Sequence, residues 1–134
     1  MHGTSIGLEA RSTDDLIERL KRGLPPSAFE RLREHLDLAS DALAHLTGVS
    51  TRTLARRKKQ DAPLAPDTSE RLLRIARLYE IATDVLMGEA EARRWLKAPN
   101  TALGGQSPLD YADTEPGARE VEDLLGRLAH GVFV

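Results

Sequence analysis

The stretch from Leu43 to Lys59 constrains this chain more than any other. It reads as two short helical segments broken at Gly48, where a residue without Cβ takes the left-handed backbone conformation at no steric cost. The first segment carries apolar Leu43, Ala44 and Leu46. Ser50 suits the N-cap of the second, its side-chain oxygen accepting from an otherwise orphaned backbone N–H. That second segment buries little beyond Leu54 and Ala55, yet bears Arg52, Arg56, Arg57, Lys58 and Lys59 with no acid among them. A small residue, Ala44, followed four positions later by Gly48 and then by a polar helix is how a helix-turn-helix reads in sequence. Ala44 lets the helices approach, while Val49 and Leu54 seat the second one on the core. The second helix is expected to be a DNA-recognition helix. One position departs from the motif: Arg57 stands three residues after Leu54, where an apolar residue is more usual. Its stem can pack while its guanidinium reaches outward.

The rest of the chain reads as further helices. Residues 1–12 lack periodicity and are expected to form a flexible N-terminal arm. Ser12, with Asp15 three residues on, resembles a capping box opening a helix from about Asp14 to Arg22. Leu16, Ile17 and Leu20 lie on one face of it, and Gly23 ends it. Pro25 and Pro26 start the next helix, in which Phe29, Leu32 and Leu36 recur at helical spacing and are assigned to the core. A loop with Pro63 and Pro66 precedes the longest helix, capped by Asp67 with Glu70 and broken by Gly88. Its apolar side is too broad for one contact, which suggests packing on both halves of the chain or on a second copy. A helix from about Glu89 to Ala98 presents Ala92, Trp95 and Leu96, with Trp95 assigned to the core. Turn-forming Pro99-Asn100 and Gly104-Gly105 lead to Ser107-Pro108, a helix start with proline at its first position. The last helix begins near Pro116, carries Val121, Leu124, Leu125 and Leu128, and ends at His130-Gly131. The apolar Val132-Phe133-Val134 then needs either a place on the core or a partner's pocket.

Length and composition bound the class. A chain of 134 residues, rich in Leu, Ala, Arg and Glu and poor in aromatic and β-branched residues, is expected to be all-α. With no cysteine it has neither a disulfide framework nor a thiolate metal site, which fits a reducing cytoplasm. No uncharged apolar run is long enough to span a membrane, so a cytoplasmic protein without membrane association is expected. The overall charge of −2 looks wrong for a nucleic-acid binder until it is divided. Residues 1–66 hold 11 basic against 9 acidic side chains, a net +2, whereas residues 67–134 hold 8 against 12, a net −4. Two surfaces with different partners are expected.

The C-terminal residues carry a resemblance. Glu89, Ala92, Trp95-Leu96, Pro99-Asn100, Leu103-Gly104-Gly105, Ser107-Pro108-Leu109, Thr114, Gly117, Val121, Leu125 and His130-Gly131, in that order, resemble the toxin-binding domain of Xre-type antitoxins, the Xre, ParS and MbcA group. The run from Ser50 to Lys58 resembles the DNA-binding half of the same proteins. The resemblance implies a helix-turn-helix domain at residues 13–66, followed by a small helical dimerisation and toxin-binding domain at 67–134. It implies a RES-domain toxin that consumes NAD as partner, neutralised when the antitoxin covers its active-site cleft. It also implies repression of the protein's own operon, with operator DNA as second partner and a homodimer or a toxin–antitoxin complex as the binding species. Carried over by position, Gly131, Val132, Phe133 and Val134 are the plug, and the turn holding Asn100, Leu103, Gly104, Gly105 and Pro108 shapes the toxin-facing or domain-packing surface.

For DNA, Thr51, Arg52 and Arg56 lead the recognition helix and are candidates for base edges or phosphates, with Ser50 and Thr53 beside them. Arg57, Lys58 and Lys59 are expected to address phosphates. His2, His35, His45 and His130 lack metal-ligand spacing, and Gly104-Gly105 has neither the preceding strand nor the following Lys of a phosphate loop. No nucleophile–base constellation emerges, so no enzyme, cofactor or metal is expected. Two other readings stay open: a protein-interaction inhibitor without DNA binding, and a stand-alone helix-turn-helix regulator.

Overall fold

A computed structural model describes residues 3–131, and all the regular structure in them is helical. The chain divides into two compact units, Met1–Ala76 and Arg77–Val134. The division falls inside the longest helix, ten residues beyond the boundary expected at residue 66.

In the first unit, α1 (Thr13–Arg22) starts where Ser12 accepts from the Asp15 N–H at 3.1 Å. Asp15 does not close the box on Ser12; its carboxylate accepts from the Arg11 N–H at 2.9 Å instead. α2 (Pro26–Leu36) opens on proline, whose missing N–H costs nothing in a first turn. α3 (Ser40–Thr47) and α4 (Thr51–Gln60) follow, and then α5 (Pro66–Leu86) begins. α5 starts one residue earlier than its Asp67–Glu70 pattern indicates. Pro66 takes the first helical position, and the Ser69 N–H bonds the Ala65 carbonyl at 2.9 Å.

Phe29, Leu32, Leu36, Leu43 and Leu72 are fully buried and form this unit's centre. α1 contributes less than its pattern suggests: Leu16 and Leu20 are half-buried, and Ile17 is 43% exposed. The missing cover comes from residues expected to form a free arm. A short 3-10 turn at Thr4–Ile6 packs on α2 and buries Ile6 and Leu8. Ile6 and Leu8 alternate with small and polar residues, so no helical periodicity announces them.

Leu24, between α1 and α2, is tied to the chain on both sides. Its N–H donates to Ser69 Oγ at 2.8 Å, and its carbonyl accepts from the Leu64 N–H at 2.8 Å. Ser69 and Leu64 are themselves buried, so neither bond competes with water. α2 also meets α4 through an ion pair, Lys58 Nζ to Glu30 Oε1 at 3.0 Å, with Arg33 Nε on the other Glu30 oxygen at 3.1 Å. Partial burial works to raise the Glu30 pKa, but the two cationic donors outweigh it and hold the carboxyl below the usual glutamate range.

In the second unit, α5 runs on to Leu86. The helix ends through Met87, which takes the left-handed conformation (φ 60°) while the Gly88 N–H bonds back to the Thr83 carbonyl at 3.0 Å. The break expected at Gly88 is therefore made one residue earlier, by a non-glycine that is 90% exposed. α6 (Glu89–Lys97), a 3-10 turn (Thr101–Leu103), α7 (Pro108–Tyr111) and α8 (Glu115–Ala129) complete the unit. Its buried centre is Leu78, Leu96, Val121 and Leu125. Trp95 is only half-buried, which corrects its assignment to the core, while Ala92 and Leu96 on the same helix are fully covered. Thr114 caps α8 by accepting from the Gly117 N–H at 3.2 Å. α7 lies so close there that a Cβ on Gly117 would collide with the Tyr111 carbonyl.

Two outcomes follow from the first unit. Replacing Ser69 by Ala strands a buried N–H at Leu24 and should lower the unfolding free energy by about 1–3 kcal/mol, read from urea midpoints at unchanged m-value. A depressed folded-state pKa gives stability that is present above the ordinary carboxylate range and is lost as pH falls through the depressed value. Glu30→Gln should therefore cost about 0.5–1 kcal/mol at pH 7. That difference from the natural chain should shrink as the pH drops below about 4, in parallel denaturant titrations.

Candidate functional site

The turn that presents α4 is built as its sequence indicates. Gly48 is left-handed (φ 70°, ψ 26°) and closes α3, with the Val49 N–H bonding the Ala44 carbonyl at 3.0 Å. Ser50 caps α4, accepting from the Thr53 N–H at 3.0 Å and donating to Thr53 Oγ1 at 2.9 Å. Leu54 is buried and fixes the helix against the core, with Val49 half-buried beside it. Ala55, expected to share that face, is exposed.

The candidate DNA contacts divide into two groups. Thr51, Arg52, Arg56 and Lys59 are exposed. Arg52, Arg56 and Lys59 have no ion-pair partner among the described residues. Arg57 and Lys58 are committed within the protein. The Arg57 guanidinium donates to the Pro63 carbonyl at 2.8 Å, tying the end of α4 to the following loop. Lys58 is held by Glu30 of α2. The polar residue at Arg57 thus has a structural reason: it satisfies a loop carbonyl where an apolar side chain would only fill space. Sequence gave no sign of the Lys58 pairing, because its partner lies 28 positions away. Ser50 and Thr53 spend their hydroxyls on each other and on the cap.

In the second unit the candidate turn is organised by Asn100. Its side-chain oxygen accepts from the Ala102 N–H at 3.0 Å, and its carbonyl accepts from Leu103 and Gly105 at 3.0 and 2.9 Å. Its N–H donates to the Gln106 carbonyl at 3.0 Å. Gly104 and Gly105 have φ of 69° and 87°, values that favour glycine through backbone conformation alone, since a Cβ on either would meet nothing within 4 Å. Both face solvent. Leu103 and Pro108 are buried rather than presenting a surface. Gly131 is exposed (φ 71°). Val132, Phe133 and Val134, the remaining candidates, lie outside the described residues.

Comparison with known proteins matches both units to described families. Residues 15–77 match the antitoxin Xre-like helix-turn-helix domain, and residues 82–131 match the antitoxin Xre/MbcA/ParS C-terminal toxin-binding domain. The Antitoxin Xre of Yersinia enterocolitica is 35% identical over 129 residues, covering 96% of this chain and 87% of that one. The Antitoxin Xre of Photorhabdus laumondii is 29% identical over the same length, again covering 96% and 87%. A Sphingobium protein named Prs ADP-ribosylating antitoxin is 28% identical over 128 residues, covering 89% of this chain and 80% of its own. Among the described residues no helix is long and apolar enough to cross a membrane. With two domains matched in order and a relative at 35% identity over nearly its whole length, the chain belongs to the Xre antitoxin family.

Proposed function

We propose that this protein neutralises a RES-domain, NAD-consuming toxin through its C-terminal unit and represses its own operon through α4, acting in the cytoplasm as a homodimer. The observation that carries the reading is the pairing, in one chain, of a toxin-binding domain with a helix-turn-helix whose leading face is exposed and cationic. A relative whose name joins antitoxin to ADP-ribosylation supports a toxin that uses NAD.

In the proposed DNA complex Arg52 and Arg56 carry base-edge or phosphate contacts, with Thr51 beside them and Lys59 on the backbone. So few free cations bind weakly at physiological salt, and two half-sites read by a dimer raise the affinity. Gly104, Gly105 and Gly131 offer exposed backbone to the toxin, and Val132, Phe133 and Val134 supply the apolar group that its cleft desolvates.

The commitment of Arg57 and Lys58 inside the protein favours one rival, an inhibitor whose helix-turn-helix no longer binds DNA. Titrating the upstream promoter separates the two. Arg52→Ala or Arg56→Ala should cost about 1–3 kcal/mol at a base contact and change sequence preference. A phosphate contact should instead weaken all sequences alike and lower the salt slope by about one. No binding by the natural chain at low salt establishes the rival. For the toxin, co-expression with the neighbouring gene product should give a stable complex that stops NAD loss. Deleting residues 132–134 should leave a complex that no longer stops it. Unchanged protection after the deletion would transfer inhibition to the turn at residues 100–108.

A further inference from the structure

The first unit holds a recess of about 280 Å³ between the N-terminal turn, α1 and the start of α2, away from the helix-turn-helix candidates. Its polar lining is dominated by three guanidinium side chains, Arg19, Arg22 and Arg31, and its apolar wall includes Ile6, Leu8 and Leu24. None of the lining residues is acidic. Asp15 engages Arg19 at 3.3 Å from α1. Arg22 and Arg31 are exposed and have no ion-pair partner among the described residues. Gly7 gives Arg31 its room, since a Cβ there would stand 3.3 Å from Arg31 Cζ and Nε.

We propose that this recess binds a small phosphate-bearing anion, held by Arg22 and Arg31 with Arg19 beside them. Guanidinium groups present planar donor forks that match phosphate oxygens, and they strengthen one another as ligands only when an anion offsets their mutual repulsion. Burying the turn at Thr4–Ile6 builds the recess from segments far apart in function from α4, which leaves recognition-helix contacts out of its wall. An apolar wall beside the cations suits an organic body attached to the phosphate, and the volume fits a compact metabolite of mononucleotide size or less. A duplex backbone presents its phosphates to an open surface and has no group to place against Ile6 and Leu8.

The test is thermal unfolding of the full chain with inorganic phosphate or AMP at millimolar concentration and constant ionic strength. Ligand that binds only the folded state raises Tm with concentration. The expected result is a saturable rise whose half-saturation point moves up by about tenfold or more in Arg22→Gln/Arg31→Gln. Greater potency of AMP assigns the site to a phosphomonoester with an organic body; equal potency assigns it to free phosphate. A parallel measurement on the unsubstituted chain reads amide shifts at Gly7 and Ser27 on adding AMP, so a poorly folding variant does not decide the matter. No rise in Tm with either probe overturns the proposal, as does a rise unchanged in the variant. Loss of promoter affinity in the variant, with neither phosphate probe binding, also overturns it and makes these arginines contacts to the DNA backbone.

Discussion

The arrangement of the first unit depends on how Leu24 disposes of its backbone. Leu24 sits in the link between α1 and α2, where both its N–H and its carbonyl are away from water and outside any helix. Ser69 and Leu64 supply the two partners, one a side chain on α5 and the other a main chain between α4 and α5. A buried backbone group without a partner costs about as much as a lost hydrogen bond. The segment before α5 is therefore held in register with the start of α2 by polar pairing as well as by apolar contact. That segment also contains Pro63, whose carbonyl receives Arg57 from α4. The end of α4 is thus fixed through the same loop that satisfies Leu24.

This coupling changes how the charge on α4 is understood. Five cations on ten residues look, in sequence, like a uniform basic face. The fold divides them by what each guanidinium or ammonium can reach. Arg57 is drawn to a loop carbonyl and Lys58 to Glu30, and the same two bonds hold α4 against the loop and against α2. Charges spent on holding the helix are engaged within the protein, whereas Arg52, Arg56 and Lys59 stay exposed with no ion-pair partner among the described residues. Neighbouring residues of one short helix thus differ in role, and only the contacts separate those that hold the helix from those left exposed.

Local rules carried most of the secondary structure. Gly48, Ser50, Ser107 and Thr114 each perform a cap or turn that depends only on residues within about four positions, so sequence suffices to place them. What failed to be legible depends on distant partners. Ile6 and Leu8 look like arm residues because their helix-free segment has no period, yet they cover apolar surface that α1 leaves open. Leu103 and Pro108 lie in a Gly- and Pro-rich turn and still face inward, while Thr101, Ala102, Gly104, Gly105 and Gln106 around them are exposed. Trp95 departs the other way: a large indole at core spacing is only half-buried, as is common for a residue of its size.

In the turn at residues 100–106 backbone conformation and side-chain packing make separate demands. Gly104 and Gly105 are favoured by their positive φ, and the space around both is empty, so the protein's own packing makes no demand on their lack of a side chain. The hydrogen bonds of Asn100 fix the loop from inside, leaving the two glycines as bare backbone on a rigid support. Rigid, side-chain-free backbone binds a partner at low entropic cost, because little is left to order on association. The two glycines themselves carry no side chain to select one partner over another, whereas Thr101, Ala102 and Gln106 beside them are exposed and do.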